Sequence, residues 1–123
     1  MLTLKAATLL HVAAEYRSLE AINLLLSRGA NVNARAKFYD GGLGGQTPIF
    51  HAVTQADSGG VAVTRLLIDR GADLSLRAKL PGHYEHPGEV VDCTPLGYAR
   101  RFQKTRSDRG TTIALLRERG ASE

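Results

Sequence analysis

The chain has 123 residues, of which 43% are hydrophobic and 23% are charged. This length fits one folding unit, and the composition excludes a disordered or fibrous chain. Its apolar runs are shorter than the roughly 18 residues that a membrane-spanning helix needs, and Met1 to Ala7 lack a secretory signal pattern. Cys93 is the only cysteine, which excludes an internal disulfide and a cysteine-based zinc cluster. We therefore expect a soluble protein in a reducing, cytoplasmic setting.

Internal repetition begins at Thr8. Segments that start with Thr and have Ala at the sixth position occur at residues 8–14, 47–53 and 94–100. Each is followed by a Leu-rich and Ile-rich segment that ends in Arg-Gly-Ala, at residues 22–30, 63–72 and 113–121. Thr caps helix starts, Pro48 and Pro95 suit a first helical turn, and Gly favours the conformation in which helices end. The pattern predicts three helix-turn-helix units at approximately 8–34, 47–76 and 94–123.

The first unit resembles the ankyrin repeat. The family signature Thr-Pro-Leu-His-x-Ala, followed by Leu-Leu-x-x-Gly-Ala-Asp-Val-Asn, is matched from Thr8 to Asn33, with Leu9 where Pro is usual. The later units differ, with Phe50 and Gly97 where His is usual. The resemblance implies an all-α fold, an ankyrin-repeat solenoid of three helix-turn-helix repeats in a single domain spanning residues 1–123. It also implies that His11 bonds to the capping Thr and to neighbouring backbone.

The spacing of the repeats is longer than in the family. Ankyrin units recur about every 33 residues, whereas Thr8 and Thr47 are 39 residues apart and Thr47 and Thr94 are 47 apart. We place most of the extra residues in two lengthened inter-repeat fingers, the first finger (30–46) and the second finger (72–93). The helix-to-helix loops of the later repeats are also expected to be longer, at 55–60 and 103–110.

Signals for catalysis are weak. His51 has no Ser, Cys or carboxylate at a sequence spacing that would orient it as part of a triad. The Gly-rich segment 41–47 has Gln46 where a phosphate-binding loop needs Lys. His83 and His86 could share a metal only if their loop turned correctly, and no second ligand cluster follows. We expect no catalytic residues, no cofactor and no metal, and we keep a metal-dependent finger centred on His83 and His86 as an alternative.

The charge distribution opens a second alternative. The net charge is +4, and residues 94–123 hold 7 Lys or Arg against 3 Asp or Glu. The basic cluster could bind nucleic acid or an acidic polymer, although only Tyr98 and Phe102 lie nearby to stack on bases. Its members are Arg100, Arg101, Lys104, Arg106 and Arg109.

The fingers contain aromatic and basic side chains, which are common at binding hot spots. The resemblance to the ankyrin family implies a non-enzymatic protein-protein interaction module that binds a partner protein through a concave surface of fingers and first helices. An alternative is that the finger aromatics fold back and cover the stack. We expect no membrane partner, and open repeat ends allow self-association. The predicted contact residues are Tyr16, Phe38, Tyr39, His83, Tyr84, Glu85 and Arg100.

Overall fold

The computed structural model describes residue 4 and residues 7–39, 42–55, 58–82, 88–101 and 109–123. Within these residues the chain is rich in helix and has one small sheet. The helices are α1 (Leu9–Glu15), α2 (Leu19–Ser27), α3 (Ile49–Val53), α4 (Ser58–Asp69), α5 (Pro95–Arg101) and α6 (Arg109–Glu118), and the strands are β1 (Ala78–Pro81) and β2 (Val90–Cys93). In the part of the chain described here, no helix is long and apolar enough to cross a membrane.

The helices form pairs that pack into two rows. Each predicted first helix packs against its own second helix, as α1 with α2, α3 with α4 and α5 with α6. The first helices also contact one another in the order α1, α3, α5, and the second helices in the order α2, α4, α6. One hydrophobic core connects all three pairs, because each pair buries its apolar side chains against the next. Its largest fully buried members are Phe50, Leu10, Ile22, Ile49, Leu67, Leu80 and Leu116.

The predicted helix ends are confirmed at the glycines and only in part at the threonines. Gly29 and Gly71 have φ values of 91° and 99°, which glycine adopts without strain. The Thr94 hydroxyl accepts a hydrogen bond from the Gly97 N–H at 3.2 Å, as a helix cap does. The cap predicted at Thr47 is wrong, because its buried hydroxyl has no partner among the described residues and α3 begins only at Ile49.

The second finger contains the small sheet, so the all-α prediction was wrong there. Strands β1 and β2 are antiparallel, with Ala78 opposite Cys93 and Leu80 opposite Val91. These four side chains are buried, and the residues between them are exposed. The alternation lets one face of the hairpin join the core, which explains why the segment forms strands instead of an irregular loop. The predicted loop at 55–60 also needs correction, since α4 already begins at Ser58.

The first finger is a shorter hairpin with a bulge. The Tyr39 N–H donates to the Leu43 carbonyl at 2.7 Å. Ala36 donates to the Gln46 carbonyl and accepts from the Gly45 N–H, so two residues oppose one, as in a β-bulge. Gly45 has a φ of 81°, the conformation in which a bulge favours glycine.

The two fingers are joined edge to edge. The Gly44 N–H donates to the Lys79 carbonyl at 2.7 Å, and the Lys79 N–H donates back to the Gly44 carbonyl at 3.0 Å. The backbone order across this surface is therefore 36–39, 43–46, β1 and then β2. Backbone hydrogen bonds therefore hold the two fingers together as one surface.

Side chains add further links between successive repeats. The Asn33 amide group donates to the Gly71 carbonyl at 3.1 Å, and its oxygen accepts from the Asp73 N–H at 2.8 Å. Arg35 donates to the Gly45 carbonyl at 3.0 Å and also to the Arg77 carbonyl. The base of the first finger is thus anchored both to its own return arm and to the next repeat.

Candidate functional site

Three of the predicted contact residues, His83, Tyr84 and Glu85, lie outside the described residues. His86 of the metal alternative and Lys104 and Arg106 of the basic cluster lie outside them as well. Among the residues that are described, no group of three or more His, Cys, Asp or Glu is placed to hold a metal ion. The predicted contacts whose positions the structure gives are Tyr16, Phe38, Tyr39 and Arg100.

Phe38 lies on the first finger with 58% of its surface exposed. Its ring packs on Gly45, where an added Cβ would lie only 2.7 Å from the Phe38 Cζ atom. Tyr39 is half-buried, and its backbone closes the finger through Leu43. The Phe38 ring therefore covers a glycine in its own finger and leaves most of its surface open to solvent.

Tyr16 lies at the residue that ends α1, and 66% of its surface is exposed. Leu9, at the start of the same helix, is also exposed. Positions seven residues apart lie on one side of a helix, so Tyr16 and Leu9 mark an apolar side of α1 away from the packed core.

Arg100 lies in a different place, beside a cleft between β2, α5 and the final residues of the chain. The cleft has a volume of about 460 Å³, and neither Tyr16 nor Phe38 lines it. Its lining residues are Arg77, Val91, Asp92, Cys93, Thr94, Gly97, Arg100, Arg101 and Glu123. The structure therefore places the described contact residues in three separate locations: Phe38 and Tyr39 on the first finger, Tyr16 at the end of α1, and Arg100 at the cleft.

Ion pairs surround this cleft. Arg100 Nη1 lies 2.5 Å from Glu123 Oε1, Arg101 Nη1 lies 2.9 Å from Glu89 Oε1, and Arg77 Nε lies 2.9 Å from Asp92 Oδ1. Two members of the basic cluster, Arg100 and Arg101, already have acidic partners in the structure. Any anionic ligand at these two arginines, whether a nucleic acid or an acidic polymer, would have to replace those carboxylates.

The thiol of Cys93 belongs to the wall of the cleft and is buried. Burial, opposed by the nearby Arg101 and Arg77 charges, raises the pKa of this thiol to about 11. Since the thiolate is the reactive form, the buried Cys93 thiol is better suited to packing than to nucleophilic attack. Sequence reasoning missed the pairing of Arg77 with Asp92, because the sequences of 78–81 and 90–93 carry only a weak strand signal.

His11 has the bracing position that the family resemblance implied. Its Nδ1 atom accepts from the Thr8 N–H at 3.1 Å and from the Thr8 hydroxyl at 2.8 Å. Because the Gln46 carbonyl can only accept, the His11 Nε2–H donates to it at 2.8 Å. Burial, together with the nearby His51 ring, lowers the pKa of His11 below its ordinary value, although the bond to Gln46 acts in the opposite direction. Neutral His11 thus ties the first finger to α1.

His51 has an orienting carboxylate that sequence spacing did not reveal. Its Nδ1 atom lies 3.0 Å from Glu15 Oε1, and its ring meets that of His11 edge-on at 5.4 Å between centroids. Gln55 holds this group together by donating to the Glu15 and His51 carbonyls, each at 2.8 Å. The His51 Nε2 atom is buried without a partner among the described residues. The cluster connects the ends of α1 and α3.

The comparisons with known proteins agree with the repeat pattern. No curated protein matches the chain. A family model described as ankyrin repeats (3 copies) matches residues 2–78, which includes the first two helix pairs, the first finger and the start of the second. With more than half of its length matched, the chain belongs to the ankyrin repeat family.

Proposed function

We propose that this protein is a protein-protein interaction module whose binding surface is the concave side formed by the two fingers and the first helices α1, α3 and α5. Ankyrin repeats are generally modules of this kind, and the family is generally non-enzymatic. The observation that carries the proposal for this chain is Phe38, an aromatic side chain that is mostly exposed on a finger with a defined backbone.

The anchoring of the first finger supports a role for Phe38 in recognition. Arg35 and the paired Gly44 and Lys79 backbones fix the finger in relation to its neighbour, and Gly45 supports the Phe38 ring. A side chain already held in place loses less conformational freedom on binding, so more of its contact energy contributes to affinity. Large aromatic anchors of this kind account for much of the binding energy at protein interfaces.

The remaining predicted contacts complete the proposal. Tyr16 contributes an exposed ring at the end of α1, and Arg100 contributes charge at the opposite end of the row of first helices. We also propose that His83, Tyr84 and Glu85 contact the partner from the second finger. The binding unit would be the single domain of residues 1–123, acting in the cytoplasm, where a lone buried thiol stays reduced.

A double variant, Phe38→Ala with Tyr39→Ala, tests the proposal. Because Phe38 is mostly exposed, we expect a loss of stability within about 1 kcal/mol, measured from urea unfolding midpoints. Capture of the native partner from source-cell extract should fall by about tenfold or more. Leu24→Ala is the matched control, because Leu24 is an equally exposed apolar residue on α2, outside the proposed surface, and it should leave capture unchanged.

Two results would contradict the proposal. If the double variant lost about 2 kcal/mol or more, the rings would be acting as core residues. If it were folded and captured the partner as well as the parent does, recognition would have to occur elsewhere on the molecule.

A further inference from the structure

On the outer edge of β2, some backbone N–H and carbonyl groups point away from the neighbouring strand β1. Lys79 uses both its N–H and its carbonyl to pair with Gly44, so neither group bonds to Asp92, which lies opposite Lys79 on β2. In an antiparallel ladder bonded and non-bonded pairs alternate, and the bond from Gly82 N–H to the Glu89 carbonyl follows this alternation. The amides of Val90 and Asp92 therefore point outward from the sheet.

In the first finger, an edge of this kind pairs with the strand of the next finger. Ala36 is opposite Gly45 and Gln46, and the residue before them, Gly44, pairs outward with the next strand. In the second finger Ala78 is opposite Cys93, and the residue before Cys93 is Asp92. Asp92 thus has the position of Gly44, but no strand among the described residues pairs with it, and its carbonyl accepts instead from Arg77 Nη2 at 2.8 Å. The sheet ends there with an edge of the type that accepted a strand one repeat earlier.

The cleft described above includes Asp92 of this edge. Arg77, Arg100 and Arg101 line it, and each is about half exposed and paired with one carboxylate, that of Asp92, Glu123 and Glu89 respectively. Glu123 places a carboxylate on Arg100 at 2.5 Å, which shows that an acid fits there. Exposed ion pairs contribute little to stability, so an incoming carboxylate can replace Glu123 at small cost.

Gly97 of α5 lines the other side of the cleft and packs closely on β2, because a Cβ at this position would contact the Cys93 Cβ atom at 3.4 Å. At the outer end of the edge, Val90 exposes 51% of its surface, which gives an apolar contact for a strand residue beside it. Edge backbone, an apolar contact and a row of arginines therefore occur together.

We propose that the outer edge of β2 binds an extended acidic segment of a partner protein, which adds as a strand beside Val90 and Asp92 and places its carboxylates on Arg100 and Arg101. Backbone pairing supplies the contact along the edge, and the arginines select acidic side chains. The inference rests on the proposed protein-binding function and names the chemistry of the segment that is bound.

The test uses the full chain and a short fluorescein-labelled peptide of alternating valine and glutamate, with binding followed by anisotropy. Val90→Pro removes an outward N–H and no bond to β1, a substitution that edge strands tolerate. It should weaken binding by about tenfold or more, as should Arg100→Gln with Arg101→Gln. The matched control is Val90→Thr, which keeps the amide and the branched side chain and should bind within about twofold of the parent.

Peptide controls separate the two parts of the proposal. A peptide with lysine in place of glutamate should not bind, and neither should one with N-methylated backbone amides. If Val90→Pro fails to fold, as judged by circular dichroism, the N-methylated peptide and the arginine variant decide the question. Equal binding of the N-methylated peptide would overturn strand addition, and absence of binding by the parent would overturn the whole inference.

Two further measurements distinguish this inference from the proposed function. The Phe38→Ala, Tyr39→Ala variant should bind the peptide as the parent does, because neither residue lines the cleft. If the parent protein does not bind the peptide, and the Phe38→Ala, Tyr39→Ala variant nevertheless captures less partner than the parent does, the edge inference fails while the proposed function stands. A parent dimer in sedimentation that Val90→Pro dissociates would show that a second copy occupies the edge, which would also overturn the inference.

Discussion

Protonation of His11 is expected to destabilise this protein. Its pKa in the folded state is lowered from the ordinary value of 6.5, chiefly by burial. The unfolded chain therefore binds more protons at this position than the folded chain does once the pH falls below 6.5. A group of this kind contributes its full stabilisation above the unfolded pKa, and that contribution decreases as the pH falls.

The geometry around His11 sets the size of the effect. Nδ1 has two donors from Thr8, so a proton there would convert an accepting contact into a repulsive one. The loss of stability per pH unit has an upper limit of about 1.4 kcal/mol, which is approached only between the unfolded and the folded pKa values, and the loss should level off below the folded-state pKa. A His11→Gln variant cannot gain this proton and should lose about 1–3 kcal/mol at neutral pH, because a buried polar network is disturbed.

Urea unfolding midpoints between pH 7.5 and pH 5 would measure the effect. The diagnostic quantity is the difference in slope between the parent and His11→Gln, because the chain has three other histidines. Parallel pH profiles for the two proteins, or a steeper decrease in the variant, would refute the reasoning that His11 is held neutral by its buried bonds.

Two other substitutions test local geometry by urea unfolding. Gly44→Ala would place a Cβ 2.4 Å from the Lys37 carbonyl oxygen, whereas Gly42→Ala meets nothing within 4 Å. We expect losses of about 3 and about 1 kcal/mol respectively, and equal losses would argue against close packing of the first finger. Thr47→Val removes a buried hydroxyl that has no partner among the described residues, so the midpoint should stay the same or rise. A decrease of about 2 kcal/mol would show that this hydroxyl makes a stabilising bond.

The helices could be predicted from the sequence because their signals are local. Thr8 and His11 are three residues apart, and their bonds form within one helical turn. Gly29 and Gly71 mark helix ends through their own backbone preference, which depends little on the rest of the fold. The exposure of Phe38 could not be derived in this way, because it depends on Gly45 lying beneath the ring after the finger has closed.

The sheet and the buried histidine cluster depend on contacts between distant residues. Strand β1 has only four residues and ends in Pro81, so its strand signal is weak until Val91 and Cys93 pair with it. Glu15 and His51 are separated by 36 positions, and only the packing of α1 on α3 brings them together. The cleft was missed for the same reason, since its residues come from β2, α5 and the end of the chain.

The contacts of Asn33 explain how this chain accommodates repeats of unequal length. One side chain bonds to both Gly71 and Asp73, just beyond the end of α4. These bonds fix the distance between the first two helix pairs at the ends of their helices. The distance therefore does not depend on how many residues the fingers contain. Insertions can therefore lengthen a finger without changing the distance at which the helix pairs stack.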